Sequence, residues 1–209
     1  MDQPDYKRRS LYQIARDYFD YLGRHLPQQC ASDEFYFLPR SEVAVQHLSA
    51  LDDLSPEKIQ DHIRHVQNLV EEIPVLKGTV DLEGEIDNRL LRQSMKSFIR
   101  EFRDAEVWRS DPTLYIKIPV FATDQALSRG DSQLDQIRAD LSTIFRQIPL
   151  FLSLGVKNLG TPSEISREVA LDMAQDAIHF YHRDIRAFIV QRIGEDKELF
   201  ENNEKVVKA

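Results

Sequence analysis

Apolar residues return at three- and four-residue steps along almost the whole chain, and few glycines interrupt them: seven in 209 residues. Side chains three and four apart share one face of a helix, so this rhythm commits the sequence to packed helices rather than a sheet. Leu11, Ile14, Ala15, Tyr18, Phe19 and Leu22 form the first stripe, with Gly23 where a helix would stop. In LSPEKIQ, Ser55 caps and Pro56 opens a helix running to about Ile73, before Pro74. Ile86, Leu90, Leu91, Met95, Phe98, Ile99, Phe102 and Ala105 mark another, ending near Trp108. Further helices are expected from Pro112 to about Ser128 and from about Ser132 to Asn158. Pro119 and Pro149 lie inside these two and lack the N–H that the preceding turn requires, so kinks are expected there.

In TPSE, Thr161, Pro162 and Glu164 make a capping box. The helix it starts carries Ile165, Val169, Ala170, Met173, Ala174, Ala177, Ile178, Tyr181, Ile185, Phe188 and Ile189 before Gly194 ends or bends it. Phe98, Phe102, Met173 and Ile178 are the residues expected to be mostly buried. Residues 26 to 54 lack a clear period. EFYFL (Glu34 to Leu38) has the composition of a short strand, but Pro39 follows and no partner strand is evident, so a loop-rich crossover is expected. The reading is an all-α fold: a single helical domain over residues 1–209, with five to seven helices, some kinked at interior prolines.

VWRSDPTLYI, residues 107 to 116, sits between two of these helices. Ser110 or Asp111 can cap, and Pro112 suits a first helical position because its missing N–H has no partner to lose there. Trp108 and Tyr115 can staple one helix to the next, provided their polar tips find partners. The stretch reads as a packing corner. At the other end, EDKELFENNEKVVKA is again helical, but the sequence stops inside the stripe of Leu199, Phe200, Val206 and Val207. That suggests a cut end, with the stripe left exposed, fraying, or paired with a second copy through the C-terminal helix.

The net charge of -8 gives no electrostatic support to a nucleic-acid or anionic-membrane partner. KRRS (Lys7 to Ser10) reads as a solvated face. One cysteine, Cys30, excludes an internal disulfide framework and fits a reducing compartment. No histidine lies near it to activate it as a nucleophile. The polar N-terminus lacks an export signal and no stretch is long enough to span a membrane, so a cytoplasmic location is expected.

Of the six histidines, His62 and His65 in DHIRH, and His179 and His182 in HFYH, are spaced to share a helix face. A di-iron bundle needs two Glu-x-x-His motifs and two further carboxylates, and Asp176 with His179 is one imperfect copy. No histidine is followed by glutamate, so the H-E-x-x-H of a zincin is absent, as are a phosphate loop and a nucleophile elbow. Asp52–Asp53 and Glu71–Glu72 fall at helix boundaries or exposed faces, where a solvated role is expected. The residues specify no catalytic, cofactor-binding or metal site.

EIDNRLLRQSMKSFIREFRDAEVWRSDPTLYI, residues 85 to 116, resembles the domain-of-unknown-function 885 family of bacterial proteins. The likeness rests on Leu90, Leu91, Arg92 and Gln93, then Trp108, then Asp111 and Pro112, then Tyr115. LDDLSPEKI (Leu51 to Ile59) and IPLFLSLGVKNLGTPSEIS (Ile148 to Ser166) add to it. Members of that family are longer, mostly helical, and look like zincin-type zinc metallopeptidases whose His-Glu segment lies well downstream of the matched region. The resemblance therefore implies the N-terminal helical part of such a protein, walling one side of a peptide-substrate cleft. Its partner would be the downstream catalytic region, and zinc would belong to the full-length parent, not to this chain. The competing class is a free-standing helical interaction or scaffold protein. A His-Glu segment encoded beyond Ala209 favours the first, and a stop codon there the second.

Overall fold

The computed structural model describes residues 9–35, 37–75, 82–128 and 133–209. Lys7, Arg8 and Ser132 lie outside them. Among the described residues there is no strand and the fold is all-α, with ten α-helices, seven of them of seven residues or more. The surplus over the expected five to seven comes from short helices that carry too few residues to show a period.

In chain order these are α1 (Leu11–His25), α2 (Pro27–Ala31), α3 (Pro56–Glu72), α4 (Leu82–Ile99), α5 (Val107–Ser110), α6 (Leu114–Leu127), α7 (Leu134–Asn158), α8 (Glu164–His179), α9 (Arg186–Phe188) and α10 (Lys197–Lys208). A 3-10 helix, Glu42–His47, lies between α2 and α3. Wide π turns extend α4 (Arg100–Asp104), join α8 to α9 (Phe180–Ile185), and carry α9 onward (Ile189–Ile193). Residues 164–193 are thus one unbroken helical run, which Gly194 ends with φ at 93°.

Two apolar clusters fill the interior. The first gathers Ile14, Tyr18 and Leu22 of α1 with Ile59 and Val66 of α3, Met95 and Phe98 of α4, and Phe102. The second gathers Leu141, Ile144 and Phe145 of α7 with Tyr181, Ile185, Ile189 and Leu199. Helices α6 and α7 belong to both: Tyr115 and Phe151 pack in the first, Ala122 and Ile148 in the second. Both run on through their prolines, and the hydroxyls of Thr123 and Ser153 donate to the carbonyls of Pro119 and Pro149 at 2.9 and 2.8 Å. No described helix is long and apolar enough to cross a membrane.

Several expectations are corrected. Gly23 does not stop α1, which continues to His25. A Cβ there would stand 2.4 Å from the Ser41 hydroxyl oxygen, so the glycine serves the close approach of the 26–54 segment. That segment is no plain loop: it folds as α2 and the 3-10 helix, while Phe35 and Leu38 fill the first core without forming a strand. Trp108 lies in α5, not at the end of α4, because the chain breaks at Glu106, which holds the left-handed conformation. Helix α6 begins at Leu114 instead of Pro112, since Asp111 Oδ1 accepts from the Thr113 amide and hydroxyl and uses Pro112 in a turn. Ser163, not Thr161, caps α8, accepting from the Ser166 amide at 3.1 Å.

Burial differs too. Phe98 and Phe102 are buried as expected, but Ile86 and Leu90 face outward, Met173 is half-buried and Ile178 is 48% exposed. The C-terminal stripe is not left open: Leu199 and Val206 of α10 are buried against the second core, with Phe200 and Val207 packed on it. Asp196 accepts from the Leu199 amide to cap this helix and pairs with Arg138 of α7.

Candidate functional site

The Trp–Tyr corner is held by hydrogen bonds to backbone, which fits a packing role. The Trp108 indole N–H donates to the Phe102 carbonyl at 3.0 Å, across the break at Glu106. The Tyr115 hydroxyl donates to the Trp108 carbonyl at 2.7 Å and accepts from Asn158 Nδ2 at 2.9 Å. Asn158 also donates to the Leu54 carbonyl at 2.8 Å, tying the end of α7 to the approach to α3. Burial pushes the Tyr115 hydroxyl up to about 12, so it stays a neutral donor. Gly155 closes the packing: a Cβ on it would stand 2.6 Å from the Tyr115 ring.

The outer side of this corner floors a groove of about 350 Å³ between α6, α7 and α8, with the end of α10 at its rim. Pro112, Tyr115, Leu152, Val156, Ala174 and Ile178 are among its lining residues, and none of the lining side chains is charged. The Tyr181 hydroxyl is turned inward to Thr123 at 3.0 Å, as that of Tyr115 is turned inward to Trp108. Both rings therefore present carbon to the groove. Such walls select for apolar shape and offer nothing for acid–base or nucleophilic chemistry.

Helix α8, one wall of the groove, buries only Ala170 among its sixteen residues. On its other side a second cleft mixes apolar residues such as Phe121, Met173 and Phe180 with the charged Glu34, Lys117, Asp124 and Asp176. A helix in a finished core normally buries a whole stripe. Helix α8 is a ridge with an uncharged groove on one flank and a mixed, partly charged cleft on the other.

Five of the six histidines fall into two groups, with His47 apart in the 3-10 helix. His179 and His182 are exposed on the outer run, and among the described residues no group of three metal-ligating side chains includes them. His62 and His65 of α3 meet Tyr21 and His25 of α1. Tyr21 stacks on His65 with centroids 3.7 Å apart, lies 4.5 Å from His25, and meets His62 edge-on at 5.6 Å. Its hydroxyl shares a 2.8 Å hydrogen bond with His62 Nδ1. Burial lowers His62 to about 4, the neighbouring His25 adding to the effect, and burial raises Tyr21 to about 12. A general base works best with a pKa near the ambient pH, and these two are displaced in opposite directions away from it. Among the described residues no three His, Cys, Asp or Glu side chains could together hold a metal. The cluster seals the α1–α3 seam.

Asp52 departs from the solvated role expected of it. It is buried, and its two oxygens accept from the Gln28 and Gln29 amides at 2.8 and 3.2 Å, capping α2 from across the fold. Burial pushes it up to about 7 against the pull of those donors. Cys30 is buried as well, and its thiol is held far above its usual range, which fits the expectation of an unreactive side chain.

Neither a protein-family model nor a curated protein matches the sequence. Among solved structures, the chain is similar to a protein of Shewanella oneidensis described as "a putative lipoprotein of unknown function". The TM-score is 0.74 at 15% identity, over 96% of this chain and 35% of that one. The likeness shows the fold alone. This chain spans about a third of the length of the protein it resembles.

Proposed function

We propose that the chain is the N-terminal helical part of a longer protein similar to zincin-type metallopeptidases, walling one side of a substrate cleft. The metal and the catalytic glutamate would come from a downstream region, as the resemblance of residues 85–116 implies. The observation that carries the reading is α8, a sixteen-residue helix with one buried residue, set beside an uncharged groove. Such a face suits a part that packs against more protein. The solved structure with a similar fold has that fold as about a third of its length, which supports the same reading. In this proposal the protein acts in the cytoplasm on peptides.

The test is to express the polypeptide encoded beyond Ala209 and measure its zinc content and peptide hydrolysis. Zinc at one per chain with hydrolysis in the longer polypeptide, and neither in residues 1–209, is the expected result. Tight zinc on residues 1–209, lost when His179 and His182 are replaced, would overturn the division of labour. One observation favours the second reading, a free-standing scaffold: the α10 stripe is already covered by α7. A stop codon directly after Ala209 would select it.

A further inference from the structure

The mixed cleft on the second flank of α8 encloses about 430 Å³, room for a small organic molecule. Phe121 of α6, with Met173 and Phe180 of the α8 run, gives it apolar ground. All three are only partly buried, so their carbon and sulfur stay open to a ligand. The charged groups around them are unbalanced. Three exposed carboxylates, Glu34, Asp124 and Asp176, line the cleft with one ammonium, Lys117. That ammonium is tied to Glu34 at 3.9 Å, and among the described residues no Lys or Arg pairs with Asp124 or Asp176. The cleft therefore combines aromatic ground with an excess of negative charge, which the uncharged groove on the first flank lacks.

We propose that this cleft binds a small organic cation, an ammonium head carried on an aromatic or aliphatic body. The alternatives each waste part of the wall. An anion meets carboxylates that outnumber the ammonium three to one. A bare metal ion finds no group of three ligating side chains among the described residues, and phenylalanine offers it no lone pair. A neutral apolar molecule covers the rings but leaves the negative charge unanswered. A cation on a hydrocarbon body uses both, because a phenyl face attracts positive charge while the body covers apolar surface. Asp124 and Asp176 draw in the head, Phe121 and Phe180 hold it, and the flexible thioether of Met173 adapts to the body. Lys117 works against binding by its own charge and its hold on Glu34. The site stands on its own, whether or not the chain belongs to a metallopeptidase.

The experiment is an NMR titration of the chain with benzyltrimethylammonium, neutral N-benzylacetamide and anionic phenylacetate. The cation should bind with a Kd of about 1 mM or lower, shifting amides in 116–124 and 173–180. It should bind about tenfold tighter than N-benzylacetamide, and phenylacetate should not bind. Replacing Asp124→Asn and Asp176→Asn together should weaken the cation about tenfold, and Phe121→Leu about threefold. Lys117→Gln should tighten it. Glu168→Gln, exposed on α8 outside the cleft, should change nothing, which controls for the general pull of a chain with net charge -8. Equal binding of the three probes overturns the proposal, as do shifts centred on 152–159. So does a loss in Glu168→Gln that matches the paired aspartate variant. Binding of a lysine-rich peptide in the cleft without binding of benzyltrimethylammonium would assign it to a peptide partner and also overturn the proposal.

Discussion

Lowering the pH from 7 to 4 should weaken the fold through His62. The ring is buried between α1 and α3 and lowered to about 4, whereas an unfolded histidine titrates near 6.5. Between those values the unfolded chain binds a proton that the folded chain refuses. His62 therefore gives its full contribution above about pH 6.5 and loses it as the pH falls through its folded value. A displacement of about 2.5 pKa units corresponds to about 3 kcal/mol. His25 and His65 are lowered too, chiefly by burial, and act in the same direction. Asp52 acts the other way: an acid raised to about 7 favours the folded state as the pH drops toward 4. The raw stability curve mixes these, so the measurement should be a difference. Urea unfolding of the wild type and of His62→Gln, run at each pH from 7 to 4, cancels the Asp52 contribution common to both. The advantage of wild type over variant should shrink by about 3 kcal/mol across that range. A difference independent of pH, or an NMR titration placing folded His62 near 6.5, would refute the reasoning.

Four further outcomes are expected. Gly155→Ala should cost about 1–3 kcal/mol in thermal or urea unfolding, because its Cβ would stand 2.6 Å from the Tyr115 ring. Gly160→Ala, where the nearest atom would be 3.8 Å away, should be close to neutral. Tyr115→Phe should lower stability by about 1–3 kcal/mol, since it removes the donor to the Trp108 carbonyl and one acceptor of the buried Asn158 amide. Phe102→Ala should cost about 3–5 kcal/mol by the loss of a fully buried ring; a loss near zero would place the α4 stripe on the wrong face.

The helices were legible where one stripe faced one core. Leu91, Met95, Phe98 and Phe102 read correctly because a single amphipathic face is a repeating signal, and the start of α3 at Pro56 read correctly because its signal is local. The 26–54 segment was not legible. Its short helices are held by distant groups: Asp52 caps α2 from more than twenty residues away, and Gln147 donates to the Ser49 carbonyl. On α8 the stripe was legible but its burial was not, because periodicity marks a face without saying whether this chain covers it. The histidine cluster shows the same boundary. Spacing paired His62 with His65, while Tyr21 and His25 join them only through the packing of α1 on α3.

The π turns between α8 and Gly194 amount to a change of pitch. Tyr181, Ile185 and Ile189 recur every four residues, and all three are buried. An ordinary α-helix would swing the last of them about 80° from the first, at about 100° per residue. Widening the turns at Phe180–Ile185 and Ile189–Ile193 takes up that swing, so the three side chains stay in line against the second core. The helix can thus leave its α8 half on the surface and still bury its far end. Closing these turns to ordinary α pitch with the sequence kept would rotate Ile189 about 80° relative to Tyr181, turning it from the second core and aiming Gly194 and α10 away from α7.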